Sequence, residues 1–494
     1  MSSRWVLDAT LAGRRPSWRD LLPLADATGA DLHALCATAD ALRARQAGEL
    51  VTYVVNRNIN FTNVCIKKCK FCAFSRGVRS DEGYVLDDAE IVRRAVEAQA
   101  FGATEVCLQA GLIPGLDGLR YVDLVRAVKR AAPELHVHAF SPEEVKYGAH
   151  RARLSIREYL QALREAGLGS LPGTSAEILD DAIRDRIAPG RITTAEWLDV
   201  IRTAHEVGLR TTATMMYGHL ESAADRLRHM ELLRDLQRDT GGFTEFVPLS
   251  FVHTEAPLFA AEPGVRPGPG GLDVVRTHAL ARVMLGADIP NLQVSWVKEG
   301  LRASEHLLAC GVNDLGGTLM NESISTSAGA AHGQAATPAA LRGVAGAAGR
   351  VAAERTTLYR IVRVADGDGP GDDRGDPLDA VDDAAATFGT YRALTRDPRF
   401  RFQRRRGGEQ LVEVGGQVEV EGEAVGADHR GAQAGGAGGG EVAREAVAVA
   451  EAGGERRGQA HGEGVGPELV AIRRKHEVGA GQGRAERVDV VGRQ

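Results

Sequence analysis

The stretch NFTNVCIKKCKFCAFSRG, residues 60–77, places three cysteines within eight positions, at Cys65, Cys69 and Cys72. It directly follows the run VTYVVNRNIN (51–60), which is typical of a β-strand. Three thiolates on one short loop can bind three irons of a [4Fe–4S] cluster and leave the fourth iron open to a small molecule. Zinc is a weaker interpretation because it takes four ligands and no fourth Cys or His lies nearby. A thioredoxin-like pair stays open as an alternative, since Cys69 and Cys72 have CxxC spacing.

The residues around this loop alternate short β-rich runs with amphipathic helical runs, from residue 49 to residue 365. One helix is predicted to begin at Asp87 or Asp88 and to stop at Gly102. Eight strands alternating with helices predict an α/β fold, a parallel (β/α)₈-type barrel that is open or closed. In such barrels the chemistry lies at the C-terminal ends of the strands. The eight strand candidates are 51–60, 104–110, 136–140, 167–173, 210–218, 243–251, 292–297 and 311–317.

Three other segments differ from residues 49–365 in composition and in the spacing of their apolar residues. Residues 1–48 have the three-to-four spacing of helices, and residues 366–400 read as a linker with one short helix. In residues 401–494, 22 of 94 residues are Gly and there is no Ser, Thr, Asn, Tyr, Trp, Cys or Met. This composition predicts disorder. It also suggests the hypothesis of a GC-rich gene read in a wrong frame, so no function is assigned to this tail.

The overall composition limits the class of protein. The 494 residues are 44% hydrophobic and 26% charged, as in a large soluble enzyme, and the net charge of −6 argues against a broad nucleic-acid surface or an anionic membrane. Six cysteines are too few for a disulfide framework. No secretory signal or membrane-spanning run is recognised, so the expected compartment is the cytoplasm.

The CxxxCxxC motif, with the aromatic Phe71 just before its last cysteine, resembles that of the radical S-adenosylmethionine superfamily. The resemblance implies a partial or complete barrel over about residues 50–340. It also implies a [4Fe–4S] cluster held by Cys65, Cys69 and Cys72. S-Adenosylmethionine would bind the open iron and be cleaved to a 5′-deoxyadenosyl radical.

A finer resemblance covers about residues 50–360, and it is to the FO synthase subunit 2 family of deazaflavin biosynthesis. It rests on NRNINFTNVC, CKFCAFSR, HAFSPEEV, AGLGSLPGTSAEIL, TMMYGHLES, GGFTEFVPLSFVH and GVNDLGGTLMNESIS. The family implies cleavage of L-tyrosine and transfer of its 4-hydroxybenzyl group to 5-amino-6-(D-ribitylamino)uracil. The other partners would be FO synthase subunit 1 and a low-potential electron donor. One departure is CLQAGL, where Ala110 replaces a glycine that is common in the family.

Two alternatives to this reaction stay open. The radical enzymes of the futalosine route to menaquinone share the TNVC and MM-x-GH patterns, and an iron–sulfur electron carrier would belong to a different class of protein. The three cysteines argue against the carrier, because an open iron suits the binding of a small molecule.

Polar residues at predicted strand ends complete the set of candidates. The side chains of His136 and His138 share one face because residues two apart on a strand point the same way. A capping box from Thr174 to Glu177 is the structural alternative for Glu177. Candidate catalytic residues are His138, Glu221 and Glu245. Candidate cofactor contacts are Phe71, Gln109, Gly111, Ser170 and Glu177. Candidate substrate contacts are His138, Tyr217, His219, His253, Trp296 and Asn313.

Overall fold

The computed structural model describes residues 3–365 and the backbone of residues 400–405 and 408–413. Its first 48 residues are helical, as predicted. Helix α2 begins with a capping box in which Ser17 and Asp20 bond each other's backbone N–H groups. The helices in this segment are α1 (Ser3–Leu11), α2 (Trp18–Leu21) and α3 (Gly29–Ala47), with a 3₁₀ turn at Leu22–Leu24.

Parallel strands form the centre of the fold. They are β1 (Leu50–Val54), β2 (Asn56–Ile59), β3 (Glu105–Leu108), β4 (His136–Ala139), β5 (Ser170–Leu171), β6 (Arg210–Tyr217), β7 (Phe243–Ser250) and β8 (Asp314–Gly317). Strands β2 to β7 form a six-stranded parallel sheet in chain order, and β1 pairs in parallel with β8. The predicted parallel α/β architecture is therefore confirmed, and the strand predicted over 51–60 is divided at Val55.

The predicted strand over 292–297 is wrong. Only two isolated parallel bridges form there, Phe246 with Leu292 and Gln293 with Asp314, and they connect β7 to β8. The side-chain oxygen of Asn313 accepts the Leu292 N–H at 2.9 Å, so this hydrogen bond is not available to a strand ladder. From Trp296 onward the chain turns into a short helix instead.

Helices connect the strands and cover the outside of the sheet. Helix α4 has the predicted N-cap, since Asp87 Oδ1 accepts the Glu90 N–H at 2.8 Å, and it ends before Gly102, whose φ is 83°. The helices are α4 (Asp88–Ala100), α5 (Arg120–Ala131), α6 (Pro142–Ala152), α7 (Ile156–Glu165), α8 (Asp181–Ile187), α9 (Thr194–Glu206), α10 (Ala223–Thr240), α11 (Pro257–Ala261), α12 (Gly271–Leu285), α13 (Trp296–Glu299), α14 (Leu301–Leu307), α15 (Ile324–Ser327) and α16 (Pro338–Ala347), with a 3₁₀ turn at Leu308–Cys310. Of these described helices, none has both the length and the apolar character needed to cross a bilayer.

Two strands that the sequence pattern did not predict follow helix α16. Strand β9 (Val351–Arg355) pairs in parallel with β1, and β10 (Ile361–Val364) pairs antiparallel with β9. The Arg355 side chain enters the barrel interior, where it donates to Asp314 and Glu245. This segment therefore covers the N-terminal end of the barrel, opposite the end where the predicted chemistry lies.

The linker predicted over 366–400 and the tail predicted over 401–494 fall mostly outside the described residues. Within them, the described backbone forms β11 (Phe400–Arg405) and β12 (Gly408–Glu413), an antiparallel pair.

Candidate functional site

The cysteine loop connects β2 to α4 at the C-terminal end of the parallel sheet. Cys65, Cys69 and Cys72 are each half-buried with free thiols. The loop is held by its own backbone, since the Cys65 N–H donates to the Arg76 carbonyl at 3.0 Å and the Cys72 N–H to the Cys69 carbonyl at 3.2 Å. The predicted ligand set therefore lies on one ordered loop at the catalytic end of the barrel.

The end of β3 packs directly against this loop. A Cβ atom on Gly111 would lie 2.3 Å from the Val64 carbonyl oxygen and 3.1 Å from Cys65 Cβ, so the approach requires glycine. Nearby, the Gln109 side chain donates to the Thr174 hydroxyl at 2.9 Å. The close approach of this strand end is therefore made to the cysteine loop.

Glu144 connects the same strand end to helix α6. Its carboxylate forms a capping box with Ser141 and also accepts the Ala110 N–H at 3.2 Å. Burial raises the pKa of this carboxyl to about 7. Glu144 therefore fixes the position of Ala110, which occupies the place of a family glycine.

Arg191, which the sequence patterns did not single out, lies beside the cysteines. Its Nη1 donates to Glu177 Oε1 at 2.9 Å and to Cys69 Sγ at 3.5 Å, and its guanidinium lies over the Phe71 ring at 5.7 Å. Its Nη2 also donates to the Ser175 hydroxyl. The side chain is only 12% exposed, so a buried cation is fixed next to one cluster thiol. Arg191 lies on an irregular loop after α8 and is distant in sequence from the cysteines, so no sequence pattern marks it as a site residue.

The thiols suit a metal cluster in both charge and arrangement. Burial raises the pKa of Cys65, and it raises the pKa of Cys69 to about 12 against the opposing effect of Arg191. A coordinated metal reverses this preference because it deprotonates the thiols that bind it. Within the described residues, no three His, Cys, Asp or Glu side chains converge on a single ion. Three cysteines that each bind a different iron do not need to converge, so the donor set fits a [4Fe–4S] cluster.

Glu177 lies on a strained turn and not at the start of a helix. Both Ser175 and Glu177 have positive φ, at 65° and 42°, which is uncommon for residues other than glycine. The alternative interpretation of Glu177, a capping box with Thr174, is wrong, because the next helix begins at Asp181 with Asp180 as its N-cap. Glu177 Oε2 is buried without a hydrogen-bond partner among the described residues. Backbone strain and an unsatisfied oxygen are typical of ligand contacts.

His136 and His138 share one face of β4, as predicted. His136 Nε2 and His138 Nδ1 each lie 2.7 Å from the Ser170 hydroxyl oxygen. Burial lowers the pKa of His138 to about 4, against the opposing effect of Glu105, so its imidazole is neutral at pH 7. His138 and Ser170 therefore act as a neutral hydrogen-bonding pair.

The turn after β6 contains two further candidates, His219 and Glu221. Glu221 is fully buried and accepts the N–H groups of Gly218 and His219 at 2.7 and 2.9 Å, and Arg266 donates to it at 2.6 Å. His219 Nε2 is 3.0 Å from the Met216 carbonyl oxygen. These contacts make Glu221 the organiser of the turn, because both of its carboxylate oxygens accept hydrogen bonds from the protein.

Polar side chains also meet at the C-terminal end of β7. The Ser250 hydroxyl donates to Glu299 Oε1 at 2.5 Å and lies 3.1 Å from the Tyr217 hydroxyl. Beside them, burial lowers the pKa of Lys298 and raises that of Glu299. Trp296 is buried, and its indole N–H donates a hydrogen bond to the Gly317 carbonyl at 2.9 Å. His253 packs edge-on against Phe259 with ring centres 4.9 Å apart.

Two candidates lie at the opposite end of the barrel from the cysteine loop. Glu245 is the third residue of β7, where it accepts from Arg355 at 3.1 Å and from the Tyr359 hydroxyl. Asn313 precedes β8 and accepts from Arg282 at 2.6 Å. Placing Glu245 in the chemistry and Asn313 on the substrate does not fit these positions. The sequence pattern assigns each residue to a strand region but does not show at which end of the strand it lies.

Replacing Arg191 with glutamine is expected to lower the reduction potential of the bound cluster and to retain its iron. Loss of a fixed cation beside Cys69 disfavours the added electron. We expect at least a tenfold lower ratio of reduced to oxidised cluster at a fixed potential, a shift of about 59 mV for one electron. The measurement is a redox titration followed by electron paramagnetic resonance.

The control for this prediction is Arg186→Gln, which removes an arginine whose side chain is 48% exposed and paired with Glu262. It should leave the potential unchanged. Equal potentials for Arg191→Gln and the unmodified protein would contradict the contact with Cys69.

Two family models match the chain. The radical SAM superfamily model matches residues 59–233, and the CofH/MqnC C-terminal region model matches residues 240–365. Among solved structures, the FeFe-hydrogenase maturase HydG from Carboxydothermus hydrogenoformans aligns with a TM-score of 0.58 at 16% identity, over 72% of this chain and 80% of that one. Methylornithine synthase (PylB) aligns with a TM-score of 0.51 at 20% identity, over 64% and 87% of the two chains. At these identities the two structures support the fold alone.

Curated relatives match about two thirds of the chain. The 5-amino-6-(D-ribitylamino)uracil–L-tyrosine 4-hydroxyphenyl transferase of Methanothermobacter thermautotrophicus is 49% identical over 343 residues, which are 69% of this chain and 93% of that protein. FO synthase of Mycobacterium tuberculosis is 51% identical over 343 residues, which are 69% of this chain and 40% of that protein, so the chain spans about two fifths of that synthase. The chain therefore belongs to the radical SAM superfamily, in the family of the 5-amino-6-(D-ribitylamino)uracil–L-tyrosine 4-hydroxyphenyl transferases.

Proposed function

We propose that this chain cleaves L-tyrosine and joins its 4-hydroxybenzyl group to 5-amino-6-(D-ribitylamino)uracil, which gives the precursor of the deazaflavin FO. The observation that carries the proposal is 49% identity across 93% of the M. thermautotrophicus transferase. The three-cysteine loop and the buried polar groups at the strand ends support it. The other products are 2-iminoacetate, 5′-deoxyadenosine and methionine.

The cofactors follow from the superfamily and from the donor set. Cys65, Cys69 and Cys72 would hold the [4Fe–4S] cluster, with Arg191 as a neighbouring cation. Gln109, Gly111, Glu177 and Phe71 are the proposed contacts for S-adenosylmethionine. Ser170, a cofactor contact by expectation from the sequence, bonds His138 and is proposed instead as a substrate contact. When bound, the cluster and S-adenosylmethionine would supply the radical chemistry that removes a hydrogen atom from L-tyrosine.

The work of the protein is then to orient the substrates and to keep water away from the reacting atoms. Tyr217, His219, His253 and Trp296 border the barrel mouth after β6 and β7 and are proposed substrate contacts. The half-buried side chains of Lys298 and Glu299 provide opposite charges there, as the amino and carboxylate groups of an amino acid require. Ser250 connects this pair to the Tyr217 hydroxyl, which fixes its geometry.

The relation to FO synthase also suggests the partner. This chain covers 40% of the M. tuberculosis FO synthase. We infer that a separate FO synthase subunit 1 uses the product to complete the deazaflavin ring. A low-potential electron donor would reduce the cluster.

The test is an anaerobic assay of the full chain with reconstituted cluster, dithionite and S-adenosylmethionine. With L-tyrosine and 5-amino-6-(D-ribitylamino)uracil we expect 5′-deoxyadenosine and the 4-hydroxybenzyl adduct, both detected by mass spectrometry. Adduct formation should stop when either substrate is omitted. Absence of 5′-deoxyadenosine under all conditions would refute a radical enzyme and leave an electron carrier. Turnover of futalosine-type substrates in place of this pair would refute the proposed substrates.

A further inference from the structure

Four side chains form one row across four neighbouring strands of the barrel. In the parallel registers Asn58 pairs with Cys107, Cys107 with His138, and His138 with Ser170. Residues paired in this way point to the same face of a sheet, because side chains alternate along each strand. The four side chains therefore share one face at one level of the barrel.

The row faces the barrel interior. On the other face, Arg57 donates to the Arg94 carbonyl at 3.1 Å and to Glu97 at 2.5 Å, and both partners belong to the outer helix α4. Val106 and Val137 lie on that outer face and are fully buried. On the face of the row, Glu105 accepts from Thr357 at 2.6 Å, from the segment that fills the N-terminal end of the barrel.

The level of the row lies between that segment and the cysteine loop. Glu105 is two residues before Cys107 on β3, and Gln109 is two residues after it. Gln109 already contacts Thr174 at the strand-end site. A molecule that enters the barrel mouth past the cysteine loop would therefore meet the row next.

Every member of the row is polar and none carries a charge at neutral pH. His138 is neutral because burial lowers its pKa to about 4, and burial raises the pKa of the Cys107 thiol well above its ordinary value. The Ser170 hydroxyl has one proton to share between His136 and His138, so it donates to one imidazole and accepts from the other. The row thus offers neutral donors and acceptors.

Asn58 is the member whose hydrogen bonding is incomplete. Its side-chain oxygen is buried and has no hydrogen-bond partner among the described residues. A buried acceptor without a donor is destabilising, so native structures rarely leave one unsatisfied. The position of this oxygen inside the barrel indicates that a bound ligand supplies the missing donor.

We propose that Asn58, His138 and Ser170 bind the hydroxyl groups of the ribityl chain of 5-amino-6-(D-ribitylamino)uracil, with Asn58 Oδ1 accepting one hydroxyl proton. This inference rests on the proposed function. A polyol has neutral hydroxyl groups that both donate and accept, which matches the row. The ammonium and carboxylate of L-tyrosine need charged partners, and the row has none.

The test compares two ligands on cluster-reconstituted protein without reductant, so that no turnover occurs. One ligand is 5-amino-6-(D-ribitylamino)uracil, and the other is 5,6-diaminouracil, which lacks the ribityl chain. Anaerobic calorimetry with Asn58→Ala should show about tenfold weaker binding of the first ligand. The Kd values of the truncated ligand and of L-tyrosine should not change. Ser170→Ala should show the same selective loss, which provides a second variant if Asn58→Ala folds poorly.

The matched control is Asn291→Ala, an asparagine at the opposite end of the barrel whose side chain donates to the Thr244 carbonyl at 2.9 Å. It should bind both ligands as the unmodified protein does. Unchanged affinity for the ribityl ligand in Asn58→Ala and Ser170→Ala, or an equal loss for the truncated ligand, would overturn the inference. If one of these results is found while the unmodified protein still turns over both substrates, the inference fails and the proposed function stands. If it binds neither uracil and forms no adduct, both proposals fail.

Discussion

Replacing Cys69 with serine is expected to abolish the cluster and all turnover. A serine hydroxyl is a far poorer iron ligand than a thiolate, and three cysteines leave no spare ligand on the loop. Cys69 is also the thiol that Arg191 contacts at 3.5 Å, so its loss removes a ligand together with the compensating charge contact. We expect cluster iron to fall to background and 5′-deoxyadenosine to fall below detection.

The measurements for this variant are iron and sulfide per chain after reconstitution and the visible absorption of the cluster. Cys310→Ser is the matched control, because Cys310 is a buried thiol on the 3₁₀ turn that precedes β8. It should keep both cluster and activity. Retained turnover in Cys69→Ser would show that Cys69 is not a ligand.

Replacing Arg355 with alanine is expected to destabilise the barrel strongly. Its guanidinium forms a two-point contact with Asp314, at 2.5 and 2.9 Å, and a further bond to Glu245 at 3.1 Å. All three groups are buried, so the variant leaves two carboxylates without their cation. Removing one partner of such a network costs about 3–5 kcal/mol. Thermal unfolding followed by circular dichroism should show a clearly lower Tm.

The pH dependence provides an internal check on this variant. Burial raises the pKa of Glu245 to about 7 even with Arg355 present, so the folded state of the unmodified protein takes up a proton more readily than the unfolded state. A raised folded-state pKa favours the fold at low pH, and this contribution is lost as the pH rises through about 7. Without Arg355 the pKa should rise further, so the loss of Tm should be larger at pH 8 than at pH 6. Equal losses at both pH values would contradict a charge-based role.

The sequence was sufficient for the architecture and for the position of the three-cysteine loop, because both depend on local patterns. Seven of the eight predicted strand regions contain strands, and Cys65, Cys69 and Cys72 lie on the predicted loop. The strand at 292–297 failed because the pattern LQVSWV does not reveal that Asn313 takes the Leu292 N–H.

The rest of the site depends on contacts between distant parts of the chain. Arg191 reaches Cys69 across 122 positions, and no local pattern marks it. Glu245 has the residue type of a catalytic base, but its third position in β7 turns it toward Arg355 at the wrong end of the barrel. Asn58 gave no signal because its importance comes from a register shared with three other strands.

The position of β1 between β8 and β9 has a consequence for how the chain is made. Leu50 pairs with Val351 and Thr52 with Asp314, so the first strand acquires its neighbours only after most of the described chain exists. Pairings this distant in sequence fold slowly because a long loop must close first. During synthesis, the charges of Asp314 and Glu245 are also uncompensated until Arg355 has been added to the chain. A nascent chain halted before residue 351 therefore leaves one edge of β1 without its partner strand and the two carboxylates without their cation.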